Sequence, residues 1–383
     1  MDKKKKMMKK TYFFAGVLVL LTAGAVIGMQ GCGNGSGGNG EAGSGRSGQD
    51  GPAGGEEGNA ATGEFVFKER LSEYGFFSDK LSDLHPVKGV MSYELATPLF
   101  TDYALKDRFI VLPAGRSVRY TRSGVLDFPD STIIIKNFAY RNTEHRKVMI
   151  ETRLLVKDPA GGKWRAMDYL WDSTQTDAVR HITGAKVPVT LLDDEGNAIS
   201  TVYQVPNTND CKRCHVNNDV LTPIGPKARN LNFVRGGQTV NQLIQWAAQG
   251  SLSGLPVLDS VDRLPDWRDS VHYSVAQRAR AYLDVNCAHC HTKGGDAYNT
   301  GLFLEYQQTD PYHVGVMKSP VSAGGGAGGL NYDIVPGDAA HSILAYRMNS
   351  TEPGTAMPEL ARTVIHKEGV RLIMNWINRT RRF

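Results

Sequence analysis

The stretch Arg278 to His291, "RARAYLDVNCAHCH", runs an apolar helical face into two cysteines three residues apart, with a histidine directly after the second. Cys287, Cys290 and His291 stand at i, i+3 and i+4, the spacing that gathers side chains onto one side of a helical turn. The pattern also stands earlier, in "PNTNDCKRCH", as Cys211, Cys214 and His215. The chain has five cysteines, and four belong to these two motifs. None is left to build a disulfide framework outside them.

A zinc ribbon would space its two pairs about 15–20 residues apart, whereas 72 residues separate Cys214 from Cys287. A thioredoxin-type redox pair explains neither the second copy nor the two histidines. Two short-loop disulfides also leave both histidines without a role. C-x-x-C-H is the attachment pattern of a c-type haem: both thiols add to vinyl groups while the imidazole meets the iron from one side. The expectation is two covalently attached haem c groups, held by Cys211, Cys214, Cys287 and Cys290, with His215 and His291 on the irons. His289 reads as a neutral spacer.

Outward from the motifs, residues 64–205 favour strands. Phe109–Leu112, Thr132–Ile135 and Val148–Val156 are apolar or β-branched runs bounded by Pro, Gly and Asp. "VPVTLLDDEGNAISTVYQVP" reads as a hairpin turning within Asp193–Asn197. After Pro206 the period becomes helical. Val240, Leu243, Ile244 and Ala247 share a face, Ser274 is a candidate N-cap, and Val370, Ile373, Trp376 and Ile377 line the last helix. The expected fold class is an N-terminal all-β, sandwich-like domain (64–205) followed by mainly α-helical, cytochrome c-type haem domains. These comprise a first haem-binding segment (206–270) and a cytochrome c-like domain (271–383). The Gly-rich run Ala323–Gly329 lacks the Gly-Lys-Ser/Thr ending of a phosphate loop and reads as a connection.

The chain's net charge of +5 is misleading, because residues 1–31 hold six Lys and one Asp. The rest carries 38 basic and 38 acidic residues, so no nucleic-acid partner is expected. The start, "MDKKKKMMKKTYFFAGVLVLLTAGAVIGMQGC", has a basic region, an apolar run and then Cys32, the order of a lipoprotein signal peptide over 1–31. The competing reading is one transmembrane anchor; cleavage before Cys32 accounts for the lone fifth cysteine. Residues 33–63 lack large apolar side chains, and 13 of the 31 are Gly. Residues 32–63 therefore read as a flexible tether reaching about 30 Å from lipid on Cys32.

Residues 65–383 resemble a family of exported bacterial dihaem c-type cytochromes. The likeness is carried by "TPLFTDYALKDRFIVLPAG", "ETRLLV", "YLWDSTQTDA", "PNTNDCKRCH", "PIGPKARNLN", "RARAYLDVNCAHCH" and "YDIVPGDAAHSILAYR". It implies electron transfer with a redox partner protein, and an exported parallel β-helix protein as a partner. The C-terminal part resembles a class I cytochrome c domain, whose first and last helices cross and whose Met-Pro loop supplies the sixth ligand. That resemblance assigns Met357 to the iron held by His291, with Met348 as the rival at core spacing. The first haem's distal ligand stays open among His272, His85, His145, His181, Met91, Met149, Met167 and an open iron. Gly33 after Cys32 resembles lipoproteins sorted to an outer membrane, on the periplasmic side or at the cell surface. The alternatives to electron transfer are a dihaem peroxidase-like enzyme with one open iron, or a partner-binding module served by redox haems.

Overall fold

The computed structural model describes residues 63–381. The expected signal peptide, Cys32 and nearly all of the expected tether lie outside the described residues. Among the described residues no helix is long and apolar enough to cross a membrane. All of them belong to one compact unit.

The centre is a six-stranded antiparallel meander: β1 (Val90–Tyr93), β2 (Leu105–Val111), β3 (Ile133–Arg141), β4 (Lys147–Lys157), β5 (Trp164–Trp171) and β6 (Ala178–His181). A register shift at Phe138/Ala139 interrupts the β3–β4 ladder. The predicted hairpin is present as β7 (Ala185–Leu192) with β8 (Ala198–Val205). Its turn closes on Asp193, whose Oδ1 accepts the Asn197 N–H at 2.7 Å.

This architecture corrects the expected fold class in both halves. The sheet packed on the meander is only the two-stranded β7–β8 hairpin, whose Leu191, Tyr203 and Val205 share a core with Phe138, Tyr140 and Ile150, so the described residues form no full second layer of a sandwich. The run Ile133-Ile134-Ile135 shows why: consecutive apolar residues point to opposite faces, so both faces require cover. One face, with Phe109, Ile133, Ile135, Leu154 and Tyr169, packs on Phe67, Leu71, Phe76, Phe77 and Leu84. The other, with Tyr93, Ile110, Ile134 and Leu155, is covered by Ala228, Leu231, Leu243, Trp246, Leu252 and Val261. This core runs across residue 205 and joins the strands to the segment after the first motif. Leu231 and Leu243 are fully buried, and at about 1.5–3 kcal/mol each they hold the cover by about 3–6 kcal/mol.

The second correction is that the chain after Pro206 is not mainly helical. Its helices are α1 (Thr208–His215), α2 (Ala228–Leu231), α3 (Gln242–Ala248), α4 (Val275–Asn286), α5 (Pro311–Val314), α6 (Ile343–Met348) and α7 (Lys367–Arg379). Only α4, with 12 residues, and α7, with 13, exceed eight. Pro and Gly at 223, 225, 226, 236, 237, 254 and 256 break the helical runs into turns and loops.

α4 and α7 pack together through Ala279, Tyr282 and Leu283 against Val370, Ile373, Trp376 and Ile377, with Met348 of α6 in the same core. The segment Thr97–Asp102 pins this assembly to the sheet. The Thr97 N–H donates to Asn230 Oδ1 at 2.9 Å, and the Phe100 N–H to Asn286 Oδ1 at 2.7 Å. The buried Asp102 carboxylate accepts from the Thr363 N–H and hydroxyl at 2.8 Å each.

Candidate functional site

Both motifs open on one cleft, between the sheet on one side and the turns after α1 and α4 and the 320–362 loops on the other. All four motif cysteines, His215, His291 and Met357 line it. None of the four thiols is in a disulfide.

The first motif lies inside α1. Asn207 caps this helix: its Oδ1 accepts from the Asn209 and Asp210 N–H groups at 2.9 and 3.0 Å, and the Asp210 carboxylate answers the Asn207 N–H. Directly after His215, Val216–Asn217 pair with Val220–Leu221. Asn218 and Asp219 make the turn with φ of 48° and 62°, as a two-residue type I′ hairpin requires. The return strand brings the Thr222 carbonyl to 2.9 Å from His215 Nδ1. A carbonyl only accepts, so the proton sits on Nδ1 and Nε2 keeps its lone pair for a metal.

The second motif adds one turn beyond α4. Ser274 caps that helix with Gln277, and the His291 N–H donates to the Cys287 carbonyl at 2.9 Å. Cys287, Cys290 and His291 thus repeat the arrangement of α1. Thr300 Oγ1 lies 3.4 Å from His291 Nδ1 and gives its own proton to the Ala297 carbonyl at 2.7 Å. It therefore accepts from Nδ1–H, which again leaves Nε2 bare. Burial pushes both imidazoles down to about 4, so each is the neutral base a metal needs.

The motif segments touch. Ligand atoms of Cys214, His289 and Cys290 lie within 4.8 Å of one another. Cys290 Sγ donates to the Arg213 carbonyl at 3.6 Å, and the Asn218 N–H to the Gly294 carbonyl at 2.9 Å. The glycine at 294 suits this contact. Gly294 has φ of 78°, and a Cβ there would stand 2.4 Å from Asn218 Oδ1. Arg213 reaches Glu359 at 3.1 Å and Asp296 at 3.6 Å, which draws in the Met357 loop. The adjacent Cys290 sulfur, then the neighbouring His289, hold the Cys214 thiol down at about 4, and the proximity of Cys214 pushes Cys290 up. Burial pushes Cys211 and Cys287 up to about 12.

The residues fit two c-type haems better than a zinc site. The close cluster takes one thiol from each pair, without Cys211 or Cys287, so no four-thiolate ribbon forms. Each Cys-Cys-His turn keeps its thiols unbridged and its Nε2 bare on a cleft that is apolar at Ile134, Leu155, Val285 and Leu304.

Met357 is half-buried on the cleft in a loop held by the Met357 N–H to the Arg347 carbonyl, 3.1 Å, and by Arg362 to the Met348 carbonyl, 2.8 Å. Met348 also touches the cleft but is buried in the α4–α7 core.

The residues expected as candidates for the distal position of a first haem fall elsewhere. His272 and His85 are exposed beside Asp269 and Asp79, and His145 is exposed. His181 Nε2 bonds the Gly184 carbonyl. Met149 and Met167 pack in the core on the far face of the sheet, and Met91 beside the α3 cover. None of these lines the cleft.

Two groups of cleft residues escaped the sequence reading. His366 is buried, stacks on Phe100 at 4.0 Å and meets Tyr282 Oη at 2.9 Å through Nδ1. Its Nε2 faces Glu368 at 3.7 Å, so it is a satisfied core histidine. The sheet contributes Arg108, Lys136, Arg153 and Asp168. Their signal was one charged residue at an inward position in each of four successive strands.

No protein-family model, curated protein or solved structure matches the chain.

Proposed function

We propose that the chain is an exported, membrane-tethered dihaem c-type cytochrome that transfers electrons. The observation that carries this reading is the convergence of two Cys-Cys-His turns on one cleft, with Cys214, His289 and Cys290 within 4.8 Å. Haem c, when bound, supplies a one-electron iron couple whose potential follows the axial ligands and the burial of the site. Cys211 and Cys214 would anchor one group, and Cys287 and Cys290 the other. His215 and His291 offer Nε2 to the irons, oriented by Thr222 and Thr300. Met357 would be the second protein ligand to the iron held by His291. Apolar walls at Ile134, Leu155, Val285 and Leu304 limit water at both sites. With the two motifs in contact, no domain motion would be needed to bring the two sites together.

The proposed setting is an outer membrane, facing the periplasm or the cell exterior, with lipid on Cys32. The proposed partners are a redox protein and, from the family resemblance, an exported parallel β-helix protein. Affinity purification of the full chain should retain such a partner, and its repeated absence would remove that part.

The central test is covalent stoichiometry. Denatured, acid-extracted protein should keep two haems per chain, and both irons should be low-spin. Unmodified Cys211 and Cys214 in mature protein would remove the dihaem reading. One observation favours a second reading: none of the residues considered for the first haem's distal side reaches the cleft. An open iron there would suit a peroxidase-like enzyme, and cyanide binding by the oxidised protein would select it.

A further inference from the structure

One register position of the sheet carries Arg, Lys, Arg and Asp on four successive strands and ends on His181. Arg108 pairs with Lys136, Lys136 with Arg153, Arg153 with Asp168, and Asp168 with His181. Directly opposed residues share a face, and like charges placed so repel. The next row on one side is Ile110, Ile134, Leu155 and Ala166, the ordinary apolar filling of such a face. This row therefore replaces core residues at the floor of the cleft, where three basic side chains stand side by side.

Their partners are unevenly supplied. Arg153 donates to Glu151 at 2.5 Å and lies 3.8 Å from Asp168. Arg108 is 7% exposed, donates Nη1 to the Lys106 carbonyl at 3.3 Å, and has no hydrogen-bond partner for Nη2. Lys136 Nζ sits over the Phe138 ring at 4.8 Å. Among the described residues, neither Arg108 nor Lys136 has an ion-pair partner. Burial, then Arg108 and Arg153, push the Lys136 ammonium well below its ordinary value, so a facing anion is what would hold it charged. Two adjacent basic side chains without ion-pair partners, facing a cleft, offer donors for two carboxylates.

We propose that Arg108 and Lys136, flanked by Arg153, form a carboxylate-binding floor whose occupants are the two propionates of the haem anchored at Cys211 and Cys214. The inference rests on the dihaem reading above. The first motif fits this occupant: α1 lies over β5, the strand of Asp168. From that strand, Lys136 is two strand spacings away, about 10 Å, and Arg108 three, about 14 Å. In a haem c the carboxylates lie at the edge opposite the thioether bonds, so a group fixed beside β5 would direct them toward β3 and β2. A free carboxylate or inorganic anion could use the same donors, and the test separates the two.

The experiment uses the full chain with its haems, matured in cells fed a precursor that places 13C in the propionate carboxyls. Redox-difference infrared spectra and potentiometry are recorded for wild type, Arg108→Gln and Lys136→Gln. The expected result is two haems per chain throughout, a shift of label-sensitive carboxylate bands in each variant, and a fall in one potential. Unchanged labelled bands in both variants, with two haems retained, would overturn the proposal. So would labelled bands that stay fixed while added acetate or phosphate shifts the wild-type potential and not the variants', since the occupant is then a free anion. If Lys136→Gln fails to mature, Lys136→Arg must restore haem loading and the wild-type bands; failure of that rescue also overturns it. Absence of covalent haem from wild type would instead sink the dihaem reading.

Discussion

Asp284 lies three residues before Cys287 and fixes the end of α4 that delivers the second motif. It is buried, and its Oδ1 accepts from Arg229 Nη2 at 2.6 Å and the Tyr306 N–H at 3.0 Å, with Lys227 Nζ at 3.7 Å. Arg229 is only 5% exposed. Asp284→Asn keeps the shape and removes the charge, leaving a buried guanidinium without its counter-ion. Breaking a buried pair from one side costs about 3–5 kcal/mol. At about 2 °C per kcal/mol for a large unit, the midpoint should fall by about 6–10 °C. Replacing both partners, as in Asp284→Leu with Arg229→Leu, should recover part of the loss.

Burial of Asp284 works against its carboxylate, but Lys227 and Arg229 outweigh it and hold the group below its ordinary value. A depressed folded value means the stabilisation is complete above about pH 4, the unfolded carboxyl range, and is lost as the pH falls through the folded value. The gap between wild type and Asp284→Asn should therefore be widest near neutrality and close in acid. Urea unfolding followed by far-UV circular dichroism at several pH values measures both quantities. A loss under about 1 kcal/mol at pH 7, or a gap that widens in acid, would refute the reasoning.

Met357→His should keep two covalent haems and lower one of two potentials, while Met357→Ala should admit exogenous ligands to one iron; unchanged spectra and potentials in both would return the role to Met348. Cys32→Ser should release the protein from membranes or leave its precursor unprocessed, and a mutant still membrane-bound through an uncut apolar segment would select the transmembrane anchor. In haem-free protein, mild oxidation should cross-link Cys214 to Cys290 before either C-x-x-C pair, because Cys214 is the low-pKa thiol and Cys290 its neighbour. Peptide mapping that finds Cys211–Cys214 and Cys287–Cys290 bridges instead would contradict the contact.

Local chemistry was legible in the sequence where its cause was local. The caps at Ser274, the turn at Asp193–Asn197, the strand runs and the apolar face of α7 all follow from spacing and turn residues a few positions apart. The motif turns were legible for the same reason. What covers each face of the sheet was not, because Ile134 shares a core with Leu231 and Trp246, about a hundred residues later, and no periodicity encodes such a meeting. The short helices after Pro206 follow from Gly and Pro interruptions that a search for apolar faces passes over. Lys136 inside "IIIKNF", Arg153 inside "ETRLLV" and Arg108 inside "DRFIV" were visible as breaks in apolar strands, but only the register lines them up.

The core shared across residue 205 also bears on how such a chain can be altered. Were the strands severed from residues 206–383, Tyr93, Ile110, Ile134 and Leu155 would face water as a contiguous greasy patch beside the charged row, the kind of surface that sticks to copies of itself. The later half would in turn lose the wall of its cleft. Neither half is a cassette, so shuffling this β-rich part onto another protein would have to bring residues 228–261 with it.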